Sequence, residues 1–389
     1  MDISIHPRLL RGEVHIPPSK SMAHRLLFCA ALSDNATQLV CPETNRDIEA
    51  TVECLNALGA NIIRTDSGYT VFPISGIPET AQLPCGESGT TLRFLLPIVG
   101  ALGIDATFQM EGRLPYRPLA PLWEEMERMG CTLCRPTENT IRCTGKLRPG
   151  AYSIDGSVSS QFISGLLFAS SLLPGGTLKI TGKAESAPYI AMTQAVMEQF
   201  HTPHYHSPGR ITVEGDWSNA AFWVAAAHCG NDGICISDID NDSLQGDRAI
   251  LDILPPLIKS CPTISASDIP DLIPILSVAA ALNHGAVFTN IGRLRLKESD
   301  RVASILAMLQ ALGGQAEATE DTLTVFGTGL TGGIVDSFSD HRIAMSAAIA
   351  ATVCKDPVTI LGAECVNKSY PKFWEAYARL GGNYGQFIR

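Results

Sequence analysis

Six times along the chain a short polar run gives way to a long stretch of small and apolar residues that shows no polar face. The runs are Ser19-Lys20-Ser21, Ser88-Gly89-Thr90, Ser159-Ser160-Gln161, Asp216-Trp217-Ser218, Asp268-Ile269-Pro270-Asp271 and Ser339-Asp340-His341-Arg342. Ser, Asp and Gly ahead of an apolar run mark helix starts, so each run predicts a helix, for example over 162–173 and 343–354. A helix that is apolar all round is covered on every side. Second, more amphipathic helices are expected at 47–58, 119–129, 190–200, 248–254, 300–312 and 372–380, with strand-like runs at 176–181, 233–237, 286–291 and 357–361 between them. The fold class this predicts is an α/β (α+β) repeat with internal helices. Three units around a common axis make one domain, and six make two similar domains.

The starts recur roughly every 70 residues, but the third and fourth units are shorter, about 58 and about 52 residues. Residues 201–210 and 259–267 leave too little chain for the usual strand pairs, so strands are expected to be missing or shortened there. Because all six polar runs begin buried helices, parallel packing of the units aims several positive helix ends at one place, which attracts anions.

A chain of 389 residues exceeds what one growing core accommodates, which agrees with two domains. With 45% apolar and 17% charged residues it reads as a globular enzyme. The net charge of −10 excludes the broad basic face that a nucleic-acid or anionic-membrane partner needs, so any anion site is local. The start of the chain carries no basic stretch leading into an apolar run, and a cytoplasmic protein is expected. The twelve cysteines, such as Cys29, Cys54, Cys229 and Cys354, sit in apolar stretches as small hydrophobes of a reducing compartment. Cys131 and Cys134 lack a second pair for zinc and read as packing residues.

Cations gather at the unit starts. Lys20 and Arg25 lie within little more than one helical turn, and Gly86-Glu87-Ser88-Gly89-Thr90-Thr91-Leu92-Arg93 joins free N–H groups to an arginine. Lys297 and Arg301, at i and i+4, are expected on one helix face with Glu298 beside them. Asp271 falls in the first turn of the fifth helix, where Asp268 and Asp271 serve equally well as caps or as chemistry. Each segment alone also reads as capping or a surface ion pair. Together with Arg93, Arg117, Arg342 and Lys368 in an acidic chain, they point to a polyanionic substrate. Two motifs are decoys. Gly327-Thr328-Gly329-Leu330-Thr331-Gly332 fits a dinucleotide fingerprint but runs into a strand-like segment rather than a helix. His201, His204 and His206 occupy a short turn without acidic or cysteine ligands nearby, so no metal site is expected.

Ten segments stand in the order found in one family: PSKSMAHR, GESGTTLR, RLPYRP, DGSVSSQF, SAPYI, EGDWSNAAF, DIPDL, LKESDR, SDHR and NKSYP. On these the chain resembles the enolpyruvyl transferases over essentially its whole length, and within them the branch acting on shikimate 3-phosphate. The resemblance implies two domains of three βαβαββ-like units, one from residues 19–213 and one from 1–18 plus 214–389, with the active site in a cleft between them. It also implies a monomer that uses no cofactor or metal, with small-molecule substrates shikimate 3-phosphate and phosphoenolpyruvate. By resemblance Ser21, Arg25, Ser159, Ser160, Gln161, Ser186, Tyr189, Asp271 and Lys297 hold the shikimate substrate. Lys20, Gly89, Thr90, Arg117, Gln161, Arg301, Arg342 and Lys368 meet phosphoenolpyruvate, with Glu87, Arg93 and His341 in support. Lys20, Asp271 and Glu298 are the implied catalytic residues. The family commonly has asparagine at Glu87, lysine at Ala187, asparagine at Ser339 and, in some members, asparagine at Arg293. An acid at Glu87 is expected to oppose anion binding nearby. The alternatives are the UDP-N-acetylglucosamine branch, whose loop normally has a cysteine before the Arg-Pro pair where 111–116 here has none, and a non-catalytic anion-binding protein of the same fold.

Overall fold

Five of the six polar runs cap the helix that follows, their side-chain oxygens accepting an N–H from the first turn: Ser19 from Met22, Ser88 from Thr91, Ser159 from Gln161, Asp216 from Asn219 and Asp340 from Arg342. The sixth differs. Its helix begins at Ile273 after Leu272, which makes no side-chain cap bond, so Asp271 precedes the helix instead of sitting in its first turn. The computed structural model describes residues 1–386. It divides the chain into two units: a continuous one, Pro18–Glu214, and a split one formed by Met1–Pro17 with Gly215–Arg389.

The continuous unit contains α1 (Lys20–Ala31), α2 (Arg46–Ala57), α3 (Gly89–Leu102), α4 (Leu122–Arg128), α5 (Ser160–Ser171) and α6 (Ala187–Gln199). Helices α1, α3 and α5 are the internal ones, and each contributes a phenylalanine to one cluster. Phe28, Phe94 and Phe168 lie with ring centroids 5.4–5.9 Å apart and are fully buried. Truncating such a ring to alanine costs about 3–5 kcal/mol, so this contact fixes how the three helices meet. Gly165 lets α5 lie on the backbone of α3, because a Cβ there would come within 2.3 Å of the Arg93 carbonyl oxygen.

The split unit repeats the plan with α7 (Trp217–His228), α8 (Ile250–Lys259), α9 (Ile273–Leu282), α10 (Arg301–Ala311), α11 (His341–Ala351) and α12 (Phe373–Arg379). Helices α7, α9 and α11 pack on one another, and the described residues of α9 and α11 are nearly all buried.

Each complete repeat carries a sheet in which two parallel strands are extended by two antiparallel ones. One such sheet pairs Arg210–Thr212, Thr37–Val40, Gly68–Phe72 and Asn61–Thr65 in that order. Another pairs Thr263–Ser265, Ala286–Thr289, Thr322–Phe326 and Gln315–Ala318. The third and fourth repeats keep only the parallel pairs among the described residues: Ala151–Asp155 with Thr177–Thr181, and Arg11–His15 with Gly233–Ser237. These are the two short spacings, since the chain runs from α8 to the strand at Thr263 without room for a hairpin. The segment after the G-x-G-x-x-G run is indeed a strand, Gly333–Asp336. No helix among the described residues is long and apolar enough to cross a membrane.

Candidate active site

The continuous unit assembles one cationic group at its helix starts. Lys20, the first residue of α1, donates to the Asp47 carboxylate at 2.9 Å, both largely buried. One turn on, Arg25 is 2% exposed and is held by three acceptors: Thr193 Oγ1 (2.8 Å), the Ser21 carbonyl (2.7 Å) and the Tyr189 carbonyl (2.8 Å). Its guanidinium also lies 5.3 Å from the Phe94 ring centroid and 6.0 Å from that of Tyr189, a cation–π arrangement. Burial pulls its pKa down to about 10. Arg25 thus ties the Ser21 and Tyr189 backbones to one point. Ser159 and Ser160 sit at the start of α5, and Ser186 precedes α6 in a left-handed conformation (φ 57°) although nearly fully buried.

Gln161 joins the starts of α3 and α5. Its Oε1 accepts from Arg93 Nη1 at 2.7 Å and its Nε2 donates to Thr90 Oγ1 at 2.8 Å. A methyl group on Gly89 would lie 2.9 Å from Arg117 Nη1 and 3.0 Å from Arg93 Nη1, so the glycine brings both guanidinium groups up to the helix end. Two arginines beside the first N–H groups of a helix are the donors that an anion can use. Glu87 is exposed, and its carboxyl packs against Gly112, where a Cβ would come within 2.6 Å of it.

The split unit gathers carboxylates and cations around Arg301. This side chain is 1% exposed and spends each guanidinium nitrogen on a different acid: Nε on Asp340 (2.8 Å), Nη1 on Asp271 and Nη2 on Glu298 (2.7 Å). Asp271 also meets Lys297 Nζ and Arg342 Nη2, each at 3.4 Å. Burial alone would raise the Asp271 carboxyl, but Arg342, Lys297 and Arg301 hold it well below the ordinary carboxylate range. Lys297 is pulled down to about 8 by burial, against the opposing pull of Asp271. A second buried acid stands beside this group. Asp247 accepts from the Ser218 hydroxyl, and burial together with the nearby Asp271 charge pushes it up to about 7. Ser218 turns its carbonyl to Arg342 Nη1 at 3.3 Å.

Lys297 and Arg301 do not share a helix face. Asp300 caps α10 by accepting from Ala303 N, so the helix starts at Arg301, and Lys297 lies in extended backbone before it. They still converge, because both reach Asp271. Arg301 is turned to three carboxylates, whereas the resemblance assigns it to phosphoenolpyruvate. His341 is buried beside Asp340, 3.9 Å away, and Lys368 ends a short 3₁₀ segment, half-buried. His201, His204 and His206 stay in their turn, but the reading that no acid lies nearby is corrected: the fold brings Asp34, distant in sequence, to 2.7 Å from His206; among the described residues no group of three His, Cys, Asp or Glu could hold a metal ion. Sequence reasoning missed Asp47, Asp247 and the role of Asp340. Only Asp340 had a local signal, as the acid in a helix-capping run.

A family model described as EPSP synthase (3-phosphoshikimate 1-carboxyvinyltransferase) matches residues 6–377. The chain belongs to the EPSP synthase family. Among curated EPSP synthases it is 37% identical to the 3-phosphoshikimate 1-carboxyvinyltransferase of Clostridium kluyveri, covering 99% of this chain and 98% of that one. It is 38% identical to the protein of the same name from Clostridium acetobutylicum, over 98% of this chain and 97% of that one. In fold it matches the solved EPSP synthase of Acinetobacter baumannii, with a TM-score of 0.79 at 22% identity over 99% of this chain and 100% of that one. An enolpyruvyl transferase from Streptomyces tendae gives the same TM-score at 17% identity, over 100% of this chain and 99% of that one. The short third and fourth repeats therefore coexist with a full-length match to EPSP synthases.

Proposed function

We propose that the chain transfers the carboxyvinyl group of phosphoenolpyruvate to the 5-hydroxyl of shikimate 3-phosphate, releasing phosphate, in chorismate and aromatic amino-acid biosynthesis. The observation that carries this reading is the Asp271 cluster: a carboxylate fixed by three cations in one unit of a chain whose relatives bear that activity's name. The Arg93, Arg117 and Gly89 group supports it as a phosphate cradle in the other unit.

Arg25, Ser159, Ser160, Ser186, Ser21, Tyr189 and Gln161 of the continuous unit bind shikimate 3-phosphate, and the resemblance assigns Lys297 and Asp271 to the same substrate. Lys20, Gly89, Thr90, Arg117, Gln161, Arg301, Arg342 and Lys368 serve phosphoenolpyruvate. The hydroxyl oxygen bonds to the enol carbon while the methylene carbon takes a proton and becomes a methyl group; one methyl proton is then lost as the C–O bond to phosphate breaks, and the hydroxyl proton leaves with the released phosphate. Asp271 accepts the hydroxyl proton, and Lys20 and Glu298 carry the proton to and from the methylene carbon. A carboxylate held this low is a weak base in the free protein. When Arg342 and Lys297 turn to the substrate's anionic groups, their hold on Asp271 weakens and its basicity rises, so substrate arrival arms the base. The cations and helix starts stabilise the leaving phosphate.

The test is phosphate release from phosphoenolpyruvate that requires shikimate 3-phosphate. Release with UDP-N-acetylglucosamine instead, or none from folded protein, removes this assignment. Two variants probe the half-sites. Gly89→Ala pushes a methyl group at Arg117, so KM for phosphoenolpyruvate rises about tenfold, and inhibition by compact phosphonate mimics weakens more than substrate binding. Unchanged inhibition places the phosphate elsewhere. The free-protein pKa of Lys297 near 8 gives kcat/KM for shikimate 3-phosphate a limb that falls as pH rises through about 8, where the lysine loses its charge. Lys297→Arg, which stays charged, abolishes that limb; a limb that survives assigns the titration to another group.

A further inference from the structure

A chain of buried hydroxyls links three helices of the continuous unit, and the reaction described above leaves it unused. His24 on α1 meets Thr51 on α2 through Nδ1 and Oγ1 at 2.7 Å; Thr51 meets Thr91 on α3 at 2.6 Å; Thr91 donates to Ser88 Oγ at 2.7 Å. All four side chains are at most 1% exposed. The Thr91–Ser88 bond runs one way, and the directions of the other two follow from it. A threonine hydroxyl has one proton. Thr91 gives its proton to Ser88, so at the Thr51 contact its oxygen can only accept. Thr51 thereby spends its own proton and must accept from His24. Nδ1 of the imidazole then carries a proton, and Nε2, which meets no partner among the described residues, is left as a lone pair when the ring is neutral. Burial, which drives the pKa of His24 down to about 3, agrees with a neutral ring.

At the far end Ser88 Oγ accepts twice, from the Thr91 hydroxyl and from Thr91 N at 3.3 Å. Both lone pairs are taken, and the Ser88 proton is left to donate. Ser88 is the cap of α3, directly before Gly89. Around Gly89 lie backbone N–H groups and the guanidinium groups of Arg93 and Arg117, all donors. What this end of the chain needs is an acceptor.

We propose that His24, as the Nδ1–H tautomer, orients the Thr51, Thr91 and Ser88 hydroxyls in one direction so that Ser88 offers its O–H to an oxygen of the anion bound at the start of α3. His24 is thus a positioning residue that acts through three hydroxyls. The proposal rests on the reading that phosphoenolpyruvate binds there.

Its first half is tested without any ligand, by nitrogen NMR of protein labelled at its nine histidines, with the His24 signal identified by its loss in His24→Asn. An Nδ1–H signature that does not titrate between pH 5 and pH 9 is expected. An Nε2–H signature overturns the proposal whatever the enzyme does. The second half uses kinetics. Thr51→Val cuts the chain without changing its shape, and KM for phosphoenolpyruvate should rise about tenfold with kcat held within about threefold, the loss of one hydrogen bond to an anion. His24→Leu should match it, and His24→Asn, which keeps an N–H donor near the Nδ1 position, should stay close to the native KM. Equal effects of the Leu and Asn variants, or a Thr51→Val change confined to thermal stability, overturn it. A native protein that does not turn over phosphoenolpyruvate at all fails the proposed function instead, and leaves the tautomer result standing.

Discussion

Asp271→Asn lowers turnover at saturating substrates by about 10²–10⁴-fold, the usual size of a lost general base, while KM for shikimate 3-phosphate changes by less than about tenfold. Asparagine keeps the shape and one acceptor toward Arg301 and Lys297 but turns an NH2 to Arg342, so the variant removes the proton acceptor and the charge while holding the packing. Pre-steady-state phosphate release measures the step directly. A second readout comes from Asp247. Its elevated pKa owes most to burial and then to repulsion from Asp271, so neutralising Asp271 brings Asp247 down from about 7. Difference infrared titration of the buried carboxyl follows that fall. If turnover stays within about threefold of native, the hydroxyl proton leaves by another route and Glu298 becomes the base to test.

The arrangement was legible where the signal is local. A serine or aspartate in front of an apolar run is a helix cap by its own hydrogen bond, which is why the starts at Ser19, Ser88, Ser159, Asp216 and Asp340 could be read directly. The missing hairpins followed from chain length alone. The Lys297 and Arg301 reading failed because i, i+4 spacing implies a shared face only inside a helix, and Asp300, read as the first residue of the 300–312 helix, is instead its cap, so Lys297 lies before the helix. What no local pattern held was partner choice. Asp47 lies 27 residues from Lys20 and Asp340 lies 39 from Arg301, each brought in by a different helix start. Asp247 was invisible for the same reason: an acid in an ordinary polar stretch becomes unusual only when the fold buries it beside Asp271. The resemblance assigned residues to the substrates, and the structure adds the residues that hold those side chains in place.

Arg301→Met tests the largest of these hidden dependencies. The guanidinium is 1% exposed and balances three acids, one of which, Asp340, is fully buried and also caps α11 through Arg342 N at 3.0 Å. Methionine fills similar volume but leaves those carboxylates facing one another without a cation between them. Removing one partner of a buried ion pair costs about 3–5 kcal/mol, much more than forming the pair contributes, because the charge left behind has lost both water and partner. The variant should therefore unfold at clearly lower denaturant concentration and show little or no turnover. If the unpaired charge is the cause, adding Asp340→Asn should recover part of the lost stability, which a simple packing defect would not allow. Linkage to pH gives an independent check. Asp271 is held below its ordinary range, so its contribution to native stability is complete above about pH 4 and is lost as pH falls further through its folded value. Since Arg301 supplies part of that hold, the gap between native and Arg301→Met stability should narrow as pH drops from 6 toward 3. A gap that stays constant over that interval would mean that the arginine stabilises this unit through its packing, and that the acids around it are satisfied by Lys297, Arg342 and Ser299 without it.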